Sequence, residues 1–476
     1  MADVVKITLN GKPVEVPKNQ TILNAAHERG LDVPIFCYHK GLETSGYCRM
    51  CLVEVDSPRG KRLITSCNTP VSEGLVVDTH SPKSLEGRAA VLEFLLLNHP
   101  LDCPTCDKAG ECMLQDNSFD HGKAHSRMDF ADKLVKPRKD LGDKIRLYPQ
   151  RCIACRRCTQ FLDQVSGTSE LAFHERGNHT ELDIFPGKPI HNSLAKNIVD
   201  ICPVGALIDR DFQYTTRQWL MKPVSTICSG CSKGCAVEAD TEDGEVKRFK
   251  AREDAQVNGF WMCDHGRDLS NTLKEGRRTR ALVSGKAVSE ASALEAARAA
   301  LAEGATLVAS AFSTREEVTA ALAVTGGRSA GAIARPLGLE EKFPGFTIPA
   351  DKNPNRAGVK AVLGGDGDVF DSTRLIHNLK GATSVLLINA IPQWRPDETL
   401  LAALKAVPRL VVIEAWASPV GDLASATLPG AAPTEKEGTF VNDKGLERRL
   451  TFCVPGPGRM DLDWLTELRA LAGARA

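Results

Sequence analysis

His99-Pro-Leu-Asp-Cys103-Pro-Thr-Cys106-Asp-Lys-Ala-Gly-Glu-Cys112 places one imidazole and three thiols within fourteen residues. Pro104 and Gly110 interrupt the stretch, so no regular helix can spread those side chains around its circumference, whereas a loop can wrap them about one centre. Four convergent donors of this kind suit a tetrahedral zinc ion or a 4Fe-4S cube. The remaining cysteines decide between them.

Of the 16 cysteines, 15 precede residue 264. They fall as Cys37, Cys48, Cys51 and Cys67; then Cys103, Cys106 and Cys112, completed by His99; then Cys152, Cys155, Cys158 and Cys202; then Cys228, Cys231, Cys235 and Cys263. Cys453 is left over. A disulfide scaffold belongs to short secreted domains, and no apolar signal segment stands behind the opening Met-Ala-Asp-Val-Val. So many unpaired thiols call for a reducing compartment.

A chain of 476 residues is long enough for roughly three domains of about 150 residues each. Lys+Arg and Asp+Glu are equal at 60 each, so no net field recruits nucleic acid or an anionic membrane surface. The longest apolar runs, Val91 to Leu97 and Ser384 to Ile391, fall short of the ~20 residues that cross a bilayer. The chain reads as soluble or peripheral.

Upstream of the central stretch, Val4 to Leu9 and Lys12 to Val16 alternate as two strands joined by a type I′ turn at Asn10-Gly11. Thr21 can cap a helix carrying Ile22, Ala25 and Ala26, which Gly30 closes. A hairpin followed by such a helix is how a β-grasp ferredoxin begins. The spacing x10, x2, x15 of the first cysteine set departs from the plant-type C-x4-C-x2-C, but the close pair and the remote fourth ligand survive, and a 2Fe-2S loop is the reading. Leu85, Ala89, Leu92 and Leu96 predict a buried helix that delivers His99.

Downstream, residues 117 to 145 read as a connecting segment with some helix. Cys152-x2-Cys155-x2-Cys158 repeats a bacterial ferredoxin run whose fourth member returns as Cys202-Pro203-Val-Gly205-Ala206, a split ferredoxin site. Cys228-x2-Cys231-x3-Cys235-x27-Cys263, flanked by short strands at Ala236 to Ala239 and Glu245 to Phe249, suits a zinc ribbon as well as a cluster. Beyond Arg277 the composition turns to Ala and Leu. A helix at Ser292 to Glu303, a strand at Thr306 to Ser310, a helix from Thr314, a strand at Ser384 to Ile388, a helix at Asp397 to Ala406 and a strand at Arg409 to Ile413 alternate as in a parallel α/β layer. Gly364-Gly365-Asp366-Gly367 lacks phosphate-loop spacing and reads as a surface loop. His39, His125 and His179 read as surface or packing residues.

The order of these sets resembles the large iron-sulfur subunits of respiratory complex I, the 75-kDa type of NADH-quinone oxidoreductase, over residues 1 to about 276. Residues 221 to 476 are similar to molybdopterin oxidoreductases, Ala426-Thr-Leu-Pro429 and Thr434-Glu-Lys-Glu-Gly438-Thr-Phe-Val441-Asn442 resembling their late segment. Only 213 residues follow Cys263, and Cys453 is not where that family places its metal ligand, so a shortened body without molybdenum or pterin is expected.

The resemblance implies an α+β and α/β multidomain chain: a β-grasp 2Fe-2S ferredoxin (1–80), a one-histidine-three-cysteine 4Fe-4S segment (81–120), a ferredoxin-like 4Fe-4S domain (140–216), a molybdopterin-oxidoreductase-type 4Fe-4S domain (221–276) and a truncated α/β region (277–476). It implies one 2Fe-2S and three 4Fe-4S clusters held by the sixteen donors named above. Electrons would pass from a flavin-bearing, NADH-oxidising partner to the 2Fe-2S, the split-ferredoxin and the His99 clusters, then through downstream iron-sulfur subunits toward quinone. The resemblance implies no bond-making site in this chain, no nucleic acid partner, and a peripheral place on the cytoplasmic (or matrix) face of the inner membrane, with the membrane arm an indirect partner. The rival expectation, the iron-sulfur subunit of an NAD-linked hydrogenase or formate dehydrogenase, should carry two complete C-x2-C-x2-C-x3-C-P runs, which are missing here.

Overall fold

The computed structural model describes residues 3–58, 60–364 and 367–469. Strands β1 (Val4–Leu9) and β2 (Lys12–Pro17) pair antiparallel with Val5 opposite Val16 and Leu9 opposite Lys12. Asn10 and Gly11 make the two-residue turn at φ 49° and 77°, the left-handed pair that a type I′ hairpin requires. Helix α1 (Ile22–His27) starts where the Thr21 hydroxyl accepts the Asn24 N–H, and buries Ile22, Leu23, Ala25 and Ala26. Strands β3 (Leu52–Val55), β4 (Arg62–Thr65) and β5 (Val76–Asp78) complete a sheet of order β2-β1-β5-β3-β4, with β1 and β5 parallel. Val53, Val16 and Ile7 form its core, and Cys51 and Cys67 lie inside that core.

Helix α2 (Pro82–Leu96) is capped by the Ser81 hydroxyl, which accepts the Ser84 N–H. Of the expected Leu85, Ala89, Leu92, Leu96 stripe, Leu92 is buried and Ala89 and Leu96 are half-buried, whereas Leu85 is 41% exposed and Ser84 and Arg88 are buried in addition. Arg88 lies wholly inside and donates to the Leu52 carbonyl from Nε (3.2 Å) and Nη2 (2.9 Å), which draws that side of the first two turns inward in place of Leu85. Helix α3 (Met113–His121) begins directly after Cys112, and a single turn at Phe130–Asp132 punctuates the connecting segment that follows. Helix α4 (Arg157–Gln164) carries Cys158, and helix α5 (Asn197–Ile201) ends at Cys202. Beside them, Leu207–Asp209, Ile145–Leu147 and Lys139–Asp140 form a small antiparallel sheet.

The chain divides into two compact units, the first running to Leu220 and including Phe343–Gly345, the second holding Met221–Lys342 and the remainder from Phe346. The second unit opens with the antiparallel strands Lys222–Ile227, Ala236–Glu242 and Glu245–Ala251. Its α/β layer is a seven-stranded sheet. Ala426–Pro429, Arg409–Glu414, Ser384–Asn389, Thr306–Ser310 and Ser329–Ile333 run parallel in that order, and Leu282–Val283 and Lys286–Ala287 add an antiparallel edge. The expected strands are there. The first helix of the layer, Glu290–Leu301, starts two residues before Ser292 because the Ser289 hydroxyl caps it, and the helix after Thr314 begins in a capping box with Glu317. Gly365 and Asp366 of the glycine-rich loop lie outside the described residues. No helix among the described residues is long and apolar enough to cross a membrane.

Candidate metal centres

The first cysteine set is built at one end of the β3/β4 pair. Cys51 precedes β3 and Cys67 follows β4, and the Ser66 N–H donates to the Cys51 carbonyl at 3.0 Å, holding the two ends together. Cys37 and Cys48 come from the loop above, where the N–H groups of Cys37 and Met50 both donate to Cys48 Sγ at 3.5 Å. Cys37 bonds to both Cys48 and Cys67, and Cys51 bonds to Cys67, so the four thiols form one linked chain. Bonds from Cys48 and Cys67 pull the Cys37 thiol far below the ordinary range, and a bond from Cys67 pulls Cys51 down to about 7, while those same bonds and burial push Cys48 and Cys67 up.

In the second set, burial, then Arg151 and Lys133, lower the His99 imidazole to about 4, so it is neutral and free to ligate at physiological pH. Cys106 is buried, Cys112 half-buried and Cys103 exposed. Burial pushes the Cys106 and Cys112 thiols up; Arg151 opposes it at Cys106, whereas at Cys112 the backbone N–H groups of Gln115 and Leu114 do. Arg151 thus acts on His99 and on Cys106 together, held by Asp102 through Nη2 at 2.7 Å.

The third set closes on itself. Cys152 and Cys155 are raised to about 12 and Cys158 is driven well up from its ordinary value, by burial first and then by neighbouring thiols, Cys202 among them in all three. Ala154 and Arg156 take φ of 50° and 65°, unusual for residues with a Cβ, and this turn aims the Ala154 N–H at Cys152 Sγ (3.4 Å). In the fourth set all four thiols are buried. Cys228 and Cys235 are driven well up by burial and by their neighbours Cys231 and Cys263, and the Gly230 N–H donates to Cys228 Sγ at 3.4 Å.

The surroundings of the sulfurs fit iron-sulfur groups. Backbone N–H groups point at Cys48, Cys152 and Cys228, as they do where thiolate charge must be stabilised. Glycines make room: a Cβ on Gly205 would stand 2.1 Å from Cys106 Sγ, and one on Gly266 would stand 2.9 Å from Cys228 Sγ. Gly205 follows Cys202 in sequence yet serves the sulfur of the His99 set, a contact the Cys-Pro-x-Gly spelling does not disclose. Among the described residues, no three His, Cys, Asp or Glu side chains are grouped so as to hold a single metal ion. Cys453 stands apart from the sets in its bonding, its thiol donating to the Thr451 carbonyl at 3.3 Å. His39 is half-buried, with Nδ1 accepting the Gly41 N–H at 3.1 Å, while His125 and His179 are exposed.

Sequence reasoning missed three buried arginines of the first unit. Arg88, Arg151 and Arg157 are 0%, 4% and 6% exposed. The Arg-Cys-x-x-Cys-Arg-Arg-Cys spelling shows cations among ligands, but not that Arg151 and Arg157 turn inward while Arg156 stays half-buried against Tyr47 (4.4 Å to the ring centre).

Fold and sulfur geometry together define a protein of consecutive iron-sulfur domains. In chain order, residues 2–82 match the 2Fe-2S iron-sulfur cluster binding domain, 88–127 the NADH-ubiquinone oxidoreductase-G iron-sulfur binding region, 142–208 the NADH-quinone oxidoreductase subunit 3 ferredoxin-like domain, and 221–275 the molybdopterin oxidoreductase Fe4S4 domain. NADH-quinone oxidoreductase subunit 3 of Thermus thermophilus is 39% identical over 297 residues, covering 56% of this chain and 38% of that protein. The mitochondrial NADH dehydrogenase [ubiquinone] iron-sulfur protein 1 of Solanum tuberosum is 37% identical over 283 residues (60% and 38%), and the mitochondrial NADH-ubiquinone oxidoreductase 78 kDa subunit of Neurospora crassa is 37% identical over 280 residues (59% and 37%). A chain of an NAD+-reducing [NiFe]-hydrogenase superposes with a TM-score of 0.40 at 30% identity, covering 44% of this chain and 90% of that one. The resemblance read from the cysteine spacing holds over this region, whose homologues are large iron-sulfur subunits of NADH-quinone oxidoreductase. The chain spans about two-fifths of the length of the curated relatives it matches.

Proposed function

We propose that this chain is an electron-relay subunit of an NADH-quinone oxidoreductase. The observation that carries the reading is order: each of the four matched domains contains one set of four donors, and each set has its own amides or glycines fitted to sulfur. We assign Cys37, Cys48, Cys51 and Cys67 to a 2Fe-2S cluster, and His99 with Cys103, Cys106 and Cys112, then Cys152, Cys155, Cys158 and Cys202, then Cys228, Cys231, Cys235 and Cys263, to 4Fe-4S clusters. The corresponding domains are 1–80, 81–120, 140–216 and 221–276, and residues 277–476 form a molybdopterin-oxidoreductase-like α/β body to which we assign a structural role without molybdenum or pterin.

Bound clusters supply one-electron carriage. The chain's own residues hold the sulfurs, stabilise their charge through N–H groups and exclude water by burial. Phe94, Leu101, Phe119, Phe130, Leu134 and Val135 are exposed apolar side chains between α2 and residue 135, which supports docking of other subunits there. The partners in this reading are a flavin- and NADH-binding subunit and further iron-sulfur subunits, with the chain peripheral to the membrane.

Iron and acid-labile sulfide analysis with EPR of the reconstituted chain tests the assignment, which requires about fourteen iron atoms per chain. A colourless protein that takes up zinc and holds no sulfide sinks it. Replacing the neutral His99 imidazole by thiolate, His99→Cys, keeps a cluster and lowers its potential, the converse of the rise seen where His replaces Cys in Rieske centres. An unchanged potential removes His99 from the ligand set.

A further inference from the structure

Arg157 stands one residue before Cys158 and is 6% exposed, yet no carboxylate pairs with it among the described residues. Its Nη2 donates to the Tyr38 carbonyl at 2.5 Å, and its Nη1 to the Ile201 carbonyl at 3.1 Å and toward Met113 Sδ at 3.8 Å; Nε is buried without a partner. Tyr38 follows Cys37, Ile201 precedes Cys202, and Met113 follows Cys112. One guanidinium therefore ties together residues adjoining ligands of three different sets.

A buried charge without a counter-charge is costly and persists where negative charge faces it. The carbonyls that bind Arg157 belong to Tyr38, beside Cys37 of the first set, and Ile201, beside Cys202 of the third, which places the charge next to both sets. The neighbouring arginines are placed differently. Arg151 is neutralised by Asp102 at 2.7 Å, and Arg156 lies half-buried over an aromatic ring.

We infer that Arg157 is a shared potential-setting residue: its unpaired positive charge lies between the Cys37/Cys48/Cys51/Cys67 site and the Cys152/Cys155/Cys158/Cys202 site and raises the reduction potential of both. The inference rests on the cluster assignment proposed above. A cluster held by four thiolates carries net negative charge, and each one-electron reduction adds one more, so a fixed cation stabilises the reduced form at either site. Because one charge serves two sites, it makes electron entry easier while leaving the driving force between them nearly unchanged. Arg157 is a positioning residue in this role, and it takes no electron or proton itself.

The test is an EPR-monitored redox titration of the full reconstituted chain, with dithionite as the electron source, comparing wild type with Arg157→Gln, Arg157→Lys and Arg156→Gln. With iron and sulfide at wild-type content, Arg157→Gln lowers the midpoints of the 2Fe-2S signal and of the split-ferredoxin signal together. The expected change is about tenfold in each one-electron equilibrium, or about 59 mV. Arg157→Lys keeps most of both potentials, and Arg156→Gln moves neither by more than about threefold, since solvent screens it. Met113→Glu brings a carboxylate to the guanidinium without removing it, and lowers both midpoints in the same sense; this variant decides if Arg157→Gln does not load. Unchanged midpoints in a loaded Arg157→Gln or Met113→Glu chain, or a shift at one site alone, overturn the inference. Absence of both signals from wild type instead overturns the cluster assignment.

Discussion

The interiors of the N-terminal β-sheet and of the α/β body are both mainly aliphatic, but among the described residues only the first includes cysteines. In the first, Cys51 and Cys67 stand in the core with Ile22, Leu23 and Val53, and the segment leading into Cys37 packs there through Val33, Ile35 and Tyr38. In the second, Leu386, Ile388, Val411, Ile413 and Trp464 pack with the alanines of the flanking helices. A core that borrows its cross-links from ligands is stable in proportion to what it binds, whereas an aliphatic core is stable by the area it buries. Under the proposed cluster assignment, the first region depends on ligand and the second is self-sufficient.

Removing iron by chelation tests that contrast most severely. Structural metal sites supply on the order of 10 kcal/mol in the smallest domains. In the iron-free chain, the amides of β3 and β4 are expected to lose hydrogen-exchange protection, while those of Ser384–Asn389 and Arg409–Glu414 keep theirs. Equal loss in both would break the comparison.

Leu386→Ala is the reverse experiment. Leu386 is fully buried in the central parallel strand, and the change should cost the second unit about 2 to 5 kcal/mol in denaturant unfolding. Iron content and the EPR signals of the three N-terminal sets should not move.

Gly205→Ala sharpens the contrast at a single atom. Its Cβ would meet Cys106 Sγ at 2.1 Å, so overpacking of about 1 to 3 kcal/mol falls on the His99 set. Loss of that cluster's signal with the 2Fe-2S signal retained is expected. A normal signal would mean the loop yields.

The smallest effect is a pH dependence in the α/β body. Burial raises Asp461 to about 7, against the opposing charge of Lys436 at 3.7 Å. The folded state therefore holds this proton more tightly than the unfolded state. Stability from this group is fully present below the ordinary carboxylate range and is lost as pH rises toward 7, by at most about 1.4 kcal/mol per pH unit. Asp461→Asn should flatten that slope in urea unfolding measured from pH 4 to 8; an unaltered slope assigns it to another group.

Much of the candidate chemistry was legible because it is local. Cys-x2-Cys spacings, the Asn10-Gly11 turn, the Thr21, Thr314 and Asp397 caps and the strand at Thr306–Ser310 depend on neighbours a few residues apart, and the backbone obeys them wherever the segment lies. The buried face of α2 was misread at Leu85 and Arg88, though not at Leu92, because four apolar residues at helical spacing outweigh an arginine in any sequence pattern. A long-range bond to the Leu52 carbonyl reversed that preference.

The sequence by itself determined the cysteine spacings, their order and the alternation of strand and helix after Arg277, since spacing along a chain survives any packing. Tertiary structure alone decided that Gly205 serves Cys106, that Arg151 spans His99 and Cys106, and that Arg157 bonds to the carbonyls of Tyr38 and Ile201. The two carbonyls that Arg157 joins lie 119 and 44 residues away from it in sequence. Whether a charge is buried or solvated depends on what packs against it, which no window of neighbouring residues contains.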